Sequence, residues 1–190
     1  VKILITGGSG LIGKALTEAL QGLNHDIHRL SRSRKSVAGV TVHQWDVEKK
    51  QVDQAAVDSV DVVIHLAGAG IVDKPWTEQR RHTILNSRVA SLLLLKDAFQ
   101  KYGEGPKVLI SASGTGYYGQ ITDEKIHAEG EDVHSSFIGE VCLRWEEAAE
   151  SFRSLNSRVV SLRTPLVLSS EGGGYPKMAM PVKFGIGSPM

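Results

Sequence analysis

The chain carries one cysteine, Cys142, so no disulfide can form within it. That usage fits a reducing compartment, and the expectation is a cytoplasmic protein. Net charge is nearly absent: 22 lysines and arginines against 21 acids leave +1. Such a balance gives no global attraction to nucleic acid or to an anionic membrane. Long apolar runs are missing too. The longest, Leu92 to Leu95, falls far below the roughly 20 residues of a membrane span. The first strand begins at residue 1 and leaves no room for a signal peptide, which again suits a cytoplasmic location. The histidines show no metal-ligand spacing, and repeats and low-complexity tracts are lacking. With 41% apolar residues, the chain can still build one core, or one domain and part of another. The partner these exclusions leave is a small molecule; a homo-oligomer stays open.

What is present starts with a turn. Val1-Lys2-Ile3-Leu4-Ile5 suits a buried parallel strand. Thr6-Gly7-Gly8-Ser9-Gly10-Leu11-Ile12-Gly13 follows at once, and apolar residues then recur at helical spacing up to Gly22. Strand, glycine turn and helix form the first half of a dinucleotide-binding unit. Glycine lets the backbone approach a pyrophosphate, and the helix start offers unpaired N–H groups and a positive dipole end. Gly8 to Gly13-Lys14 also mimics a nucleotide triphosphatase P-loop. Ala15, however, stands where a magnesium-binding hydroxyl belongs. A glycine-rich turn without a ligand is the bland alternative.

The second strand bears on which dinucleotide. Asp26-Ile27-His28-Arg29-Leu30 reads as a strand ending in Ser31-Arg32-Ser33-Arg34-Lys35. An NAD site places an acid about 20 residues beyond the glycines, to bond the ribose 2′-hydroxyl. Here Ser31 and Arg32 stand there instead. A guanidinium binds a 2′-phosphate that a carboxylate would repel. The expected cofactor is therefore NADP, with Arg32 as main ligand and Ser31 beside it. Arg34 and Lys35, taken singly, read better as a solvated loop.

Strand-like and helix-like stretches alternate through the rest. Strands are expected at 40–45, closed by Asp46, at 60–66, 107–111 and 158–163. Helices are expected at 48–58, at 77–101 behind Thr77 as N-cap, and at 137–152. In the 77–101 helix Ile84, Val89, Leu92, Leu93 and Phe99 form the apolar face; residues 114–134 read as loop. The fold class is α/β, a doubly wound parallel sheet of Rossmann type. Ligands of such sheets lie at the carboxyl ends of strands. That collects Gly7, Ser9, Gly10, Leu11, Ile12, Gly13, Ser31, Arg32, Asp46, Leu66, Ala67, Gly68, Ser111, Ala112 and Pro165 as cofactor-binding candidates.

The residues Ile5 to Gly13, Leu30-Ser31-Arg32, His65-Leu66-Ala67-Gly68, Asn86-Ser87-Arg88, Ile110 to Ser113 with Gly116-Tyr117-Tyr118-Gly119, Glu140-Val141-Cys142 with Trp145-Glu146, and Leu162-Arg163-Thr164 resemble an atypical branch of the extended short-chain dehydrogenase/reductases. Its members are described as NAD-dependent epimerase/dehydratase-like proteins or nucleoside-diphosphate-sugar epimerases. The resemblance covers essentially the whole chain. It implies a Rossmann domain over 1–165 and, over 166–190, the incomplete start of a smaller substrate domain. It also implies an NADP-dependent oxidoreductase or epimerase acting on a small hydroxyl- or carbonyl-bearing substrate, with a nucleotide sugar as one option.

The usual acid/base pair of that group, Tyr-x-x-x-Lys, is missing. Tyr102, Tyr117, Tyr118 and Tyr175 are followed four residues on by Pro106, Ile121, Thr122 and Ala179. By resemblance the position falls on Phe137 and Val141, with neither hydroxyl nor ammonium. Ser113, Tyr117 and Tyr118 are the catalytic candidates that remain, against loop packing for the two tyrosines. Glu140 is either cleft-facing or a solvated helix residue. Cys142 reads as a small buried apolar residue and His65 as a core histidine. The missing dyad keeps a second class of function open: a non-catalytic NADP(H)-binding sensor or partner protein.

Overall fold

The structure, a computed structural model, describes residues 1–119 and 124–186. The parts of the expected 114–134 loop and 166–190 region that fall at 120–123 and 187–190 lie outside the described residues. Strands β1 (Lys2–Thr6), β2 (Asp26–Ser31), β3 (Thr41–Asp46), β4 (Gln51–Val52), β5 (Val62–His65), β6 (Val108–Gly114) and β7 (Arg158–Thr164) form one sheet in the order β4-β3-β2-β1-β5-β6-β7. Every pairing is parallel except β3 with β4. This is a Rossmann-like α/β fold: strand order reverses at β1, so a crevice opens above its carboxyl end.

Helix α1 (Leu11–Gly22) covers one face of the sheet, and α2 (Glu78–Tyr102) and α3 (Phe137–Glu150) cover the other. The alternation of β1 explains the division. Ile3 and Ile5 join Ile27 and Ile64 against Leu16 and Leu20 of α1. Leu4 joins Val63 and Leu109 in the larger core, with Leu92, Leu95 and Phe99 of α2 and Trp145, Ala148 and Ala149 of α3. Burying each large aliphatic side chain contributes about 1.5–3 kcal/mol, so a register slip that exchanged the faces would forfeit many such terms. Thr77 caps α2 as its sequence position predicts: its Oγ1 accepts from Arg80 N at 3.2 Å. Ser136 does the same for α3, accepting from Gly139 N at 3.1 Å.

Two expectations need correction. Residues 48–58 are not a helix. They make a turn, the two-residue strand β4 and a short 3₁₀ turn at Gln54–Ala56. Lys50 takes a left-handed φ of +52°, which ends any helix, and Val52 pairs with Trp45 across the sheet edge. On α2, Leu93 is 42% exposed, whereas Leu95, Ala98, Arg88 and Ser91 are buried. The helix carries two polar residues on its core face, so its apolar stripe is narrower than sequence periodicity implies. Beyond β7, a fourth helix, α4 (Tyr175–Lys183), exposes Met180 and Val182. Among the described residues no helix is long and apolar enough to cross a membrane, and no cluster of three or more His, Cys, Asp or Glu could hold a metal ion.

Candidate functional site

The glycine turn links β1 to α1 above the carboxyl edge of the sheet. Gly7 has φ +69°, and a Cβ there would lie 2.6 Å from the Leu66 carbonyl carbon. Only glycine fits both the angle and the approach of the two strand ends. Those ends are tied by Leu66 N donating to Thr6 O (3.1 Å) and Ala67 N donating to Thr6 Oγ1 (3.3 Å). A Cβ on Gly13 would sit 2.5 Å from Gly7 O and 2.6 Å from Gly8 Cα, so the first turn of α1 can rest directly on the loop. Gly10 is different. Its Cβ would meet only Gly7 O, at 3.3 Å, and its φ is an ordinary −74°. That one contact is tight, and a side chain at Gly10 fits only if Gly7 O yields by a few tenths of an ångström.

Beside the turn is an open cleft of about 1470 Å³. Of the predicted cofactor residues, Gly7, Ser9, Gly10, Ser31, Arg32, Asp46, Leu66, Ala67 and Gly68 line it. Leu11, Ile12, Gly13, Ser111, Ala112 and Pro165 are not among its lining residues. Arg32 is exposed at the tip of β2, while Asp46 is turned into its own loop, accepting from Lys49 N at 3.0 Å. That bond and Lys49's charge hold the Asp46 carboxyl below the usual range. Gly68-Ala69-Gly70 is clamped from α2. Ala69 N donates to Ser87 Oγ (2.9 Å), Arg88 Nη1 donates to Ala69 O (3.1 Å), and Arg80 donates to Gly70 O. Arg88 is itself buried over the Trp145 ring (4.9 Å), and desolvation lowers its pKa to about 10. His65, fully buried beneath the turn, meets Ser91 Oγ at 2.9 Å through Nε2. Burial, helped by the Arg88 charge, drives it down to about 3, so it stays neutral.

The predicted catalytic set lies at the other end, on β6 and the 3₁₀ turn Thr115–Tyr118. Ser113 is buried and donates to Glu146 Oε1 at 2.6 Å. Glu146 in turn receives Arg163 as a fork, Nε to Oε1 at 2.9 Å and Nη2 to Oε2 at 2.8 Å. Arg163 Nη1 donates to Tyr118 Oη at 2.8 Å, and its guanidinium carbon lies 3.5 Å from the Tyr117 ring centroid. The Glu146 bond, then that to Tyr118, raises the Arg163 pKa despite partial burial. Sequence reasoning named Glu146 and Arg163 only as part of a resemblance and gave them no role. A carboxylate on an amphipathic helix and an arginine in a strand show their pairing only once the fold brings them together. Glu140 is exposed, and Cys142 is buried with its thiol pushed up by desolvation.

Comparison with known proteins places these features in a family. The family model described as NAD dependent epimerase/dehydratase matches residues 3–181. An epimerase family protein of Mycobacterium bovis is 32% identical over 186 residues, covering 98% of this chain and 60% of its own length. One from Staphylococcus aureus is 32% identical over 184 residues, with 97% and 61% covered. Among solved structures, human epimerase family protein SDR39U1 with NADPH superposes with a TM-score of 0.78 at 28% identity, covering 100% of this chain and 62% of that one. A nucleoside-diphosphate sugar epimerase from Corynebacterium glutamicum gives 0.79 at 30% identity, covering 96% and 38%. The chain thus spans about 60% of the length of the curated relatives it matches.

Proposed function

The chain belongs to the NAD dependent epimerase/dehydratase family, and from that premise we propose that it binds NADP(H) and serves an oxidoreductase or epimerase acting on a small hydroxyl- or carbonyl-bearing substrate, with nucleotide sugars the first class to try. The glycine cradle fits a dinucleotide: Gly7 and Gly13 shape a turn that no side chain could enter, and Gly10 puts no side chain over the helix start where it lines the cleft. The single observation that carries the choice of NADP is the tip of β2, where Ser31 and Arg32 line the cleft in place of an acid. The human relative named above was solved with NADPH. When bound, the dinucleotide supplies hydride transfer; the chain's own residues bind and orient it. Gly10, Leu11 and Ile12 would face the pyrophosphate, and Ala67 and Gly68 the middle of the cofactor. Ser111, Ala112 and Pro165 would stand toward its far end.

We assign residues 1–165 to the dinucleotide domain and 166–190 to the start of a substrate-binding region. Ser113, Tyr117 and Tyr118 are the groups from which a substrate proton would be handled. The test of cofactor choice is Arg32→Ala, read by nicotinamide fluorescence. A hydrogen bond to a charged group is worth roughly 1.5–3 kcal/mol, so NADPH should weaken about tenfold or more with NADH little changed. Equal weakening of both would overturn the NADP reading.

A second reading has its own observation. The chain has no Tyr-x-x-x-Lys, the resemblance puts Phe137 and Val141 at those positions, and Arg163 and Glu146 already engage Tyr118 and Ser113. A sensor or partner protein that binds NADP(H) without turnover is consistent with that arrangement. Hydride exchange between bound NADPH and a panel of sugar nucleotides and small carbonyls, in the full-length protein, separates the two. Exchange that falls in Ser113→Ala or Tyr118→Phe favours the enzyme; none across the panel favours the sensor.

A further inference from the structure

Arg29 is a charged residue in the middle of a buried strand. It is 7% exposed, on β2, two strands in from the β4 edge of the seven-stranded sheet. Its side chain runs toward α1 beneath the glycine turn: a Cβ on Gly8 would collide with Arg29 Nε and lie 3.0 Å from its Cδ. Nη2 donates to Thr17 Oγ1 at 3.1 Å, and Thr17 donates onward to Gly13 O at 2.6 Å. There the neutral bonding ends. Nε is buried without a partner, and among the described residues no carboxylate pairs with the guanidinium. Burial alone lowers its pKa. A buried cation without a counter-charge is costly, and a fold retains one where something else compensates it.

Arg29 is also among the residues that line the cleft, with Ser31 and Arg32. Alternation along β2 puts Arg29 and Ser31 on one face, so Arg29 stands two residues behind the tip that the 2′-phosphate reading uses. The pyrophosphate of a dinucleotide belongs further over, at the N–H groups opening α1. We propose that Arg29 is a second, buried cation of the 2′-phosphate end of the cleft, acting with Arg32; this rests on the NADP reading above. Arg32 reaches the phosphate from solvent at the strand tip. Arg29 meets it from below, out of reach of bulk water, where a charge-assisted bond is less screened. The ligand class it selects is an adenosine carrying an anion on the 2′-oxygen.

The probes are adenosine 2′,5′-bisphosphate and 5′-AMP, titrated by calorimetry into the full-length protein, with NADPH and NADH alongside. In Arg29→Met, which keeps an unbranched stem without the charge, and Arg29→Gln, which keeps a neutral donor at the level of Nε, the 2′-phosphorylated ligands should weaken about tenfold or more, while 5′-AMP and NADH move less than about threefold. The unliganded melting temperature should hold or rise in Arg29→Met, because an uncompensated charge has been removed. Either neutral variant suffices if only one folds. Unchanged affinity for the bisphosphate in a folded variant overturns the proposal. So does an equal loss for ligands with and without the 2′-phosphate, which would make Arg29 a shaper of the turn. Arg32→Ala in the same titration separates the two assignments. If Arg32→Ala loses the preference and the Arg29 variants keep it, only the Arg29 assignment falls. If the wild type shows no preference for the 2′-phosphate, the NADP reading falls and this proposal falls with it.

Discussion

At the scale of single residues, Gly7, Gly10 and Gly13 of the turn do different work although the sequence writes them alike. Gly7 and Gly13 are held by the protein's own backbone, at 2.6 Å and 2.5 Å from the nearest atoms a Cβ would meet. Gly13→Ala should therefore lift α1 from the loop, costing about 1–3 kcal/mol of stability by overpacking and weakening NADPH and NADH together. At Gly10 a Cβ would meet only Gly7 O, at 3.3 Å, a tight contact that a small shift of the loop relieves. Gly10→Val should lose less stability than Gly13→Ala yet bind neither dinucleotide. Urea melts and cofactor titrations on both variants check this. A Gly10→Val protein with wild-type NADPH affinity would remove the turn from the site. The spacing of these glycines was legible in sequence because the turn is one short, continuous segment between a strand and a helix. Arg29 was not, since its meaning depends on Gly8 and Thr17, distant in sequence and adjacent only after folding.

At the scale of elements, strands follow from short continuous apolar runs and long helices from apolar residues at helical spacing. β1, β2 and α1 lie within a residue or so of their predicted limits, and Thr77 begins α2 as its side chain dictates. Residues 48–58 failed because their apolar residues, Val52, Ala56 and Val57, have no clear period and serve one core from a turn. The left-handed Lys50 makes that correction testable, for the two conformations predict opposite signs. In a helix Lys50→Gly would cost about 1 kcal/mol. In the observed turn it relieves a non-glycine left-handed residue and should stabilise by about 0.5–1 kcal/mol, after the extra chain entropy is deducted. Chemical denaturation of the variant decides; a loss of stability would restore the helix. The Ser113–Glu146–Arg163–Tyr118 chain was illegible for another reason. It joins β6, α3, β7 and the turn after β6, and no sequence spacing encodes a contact among four elements.

For the molecule as a whole, the buried histidines set how stability depends on pH. His65 holds a pKa of about 3 against 6.5 when solvated, because burial and then the Arg88 charge oppose its protonation. His43 is also lowered, by burial and then by His28, whose Nδ1 lies 2.8 Å from its Nε2. Above about pH 6.5 neither histidine is protonated in the folded or the unfolded chain, so no penalty exists. As the pH falls below 6.5, the unfolded chain takes up protons that the folded one refuses, and folding weakens. Each such histidine contributes a slope of about 1.4 kcal/mol per pH unit until its folded pKa is reached. Carboxylates held low, such as Glu131 at about 2 beside Lys125 and His127, lose their contribution further down, as the pH falls from about 4.5 toward 2. The interval from pH 6.5 to 4.5 is thus the histidines' own. Stability measured by urea denaturation should fall across it at between about 1.4 and 3 kcal/mol per unit. His65→Gln keeps a side-chain amide where the ring meets Ser91 and carries no proton to titrate. It should be less stable than wild type at pH 7 from lost packing, yet its curve should be flatter by about 1.4 kcal/mol per unit. A wild-type stability that stays level between pH 6.5 and 4.5, or an unchanged slope in His65→Gln, would mean that the buried histidine is protonated in the folded protein after all.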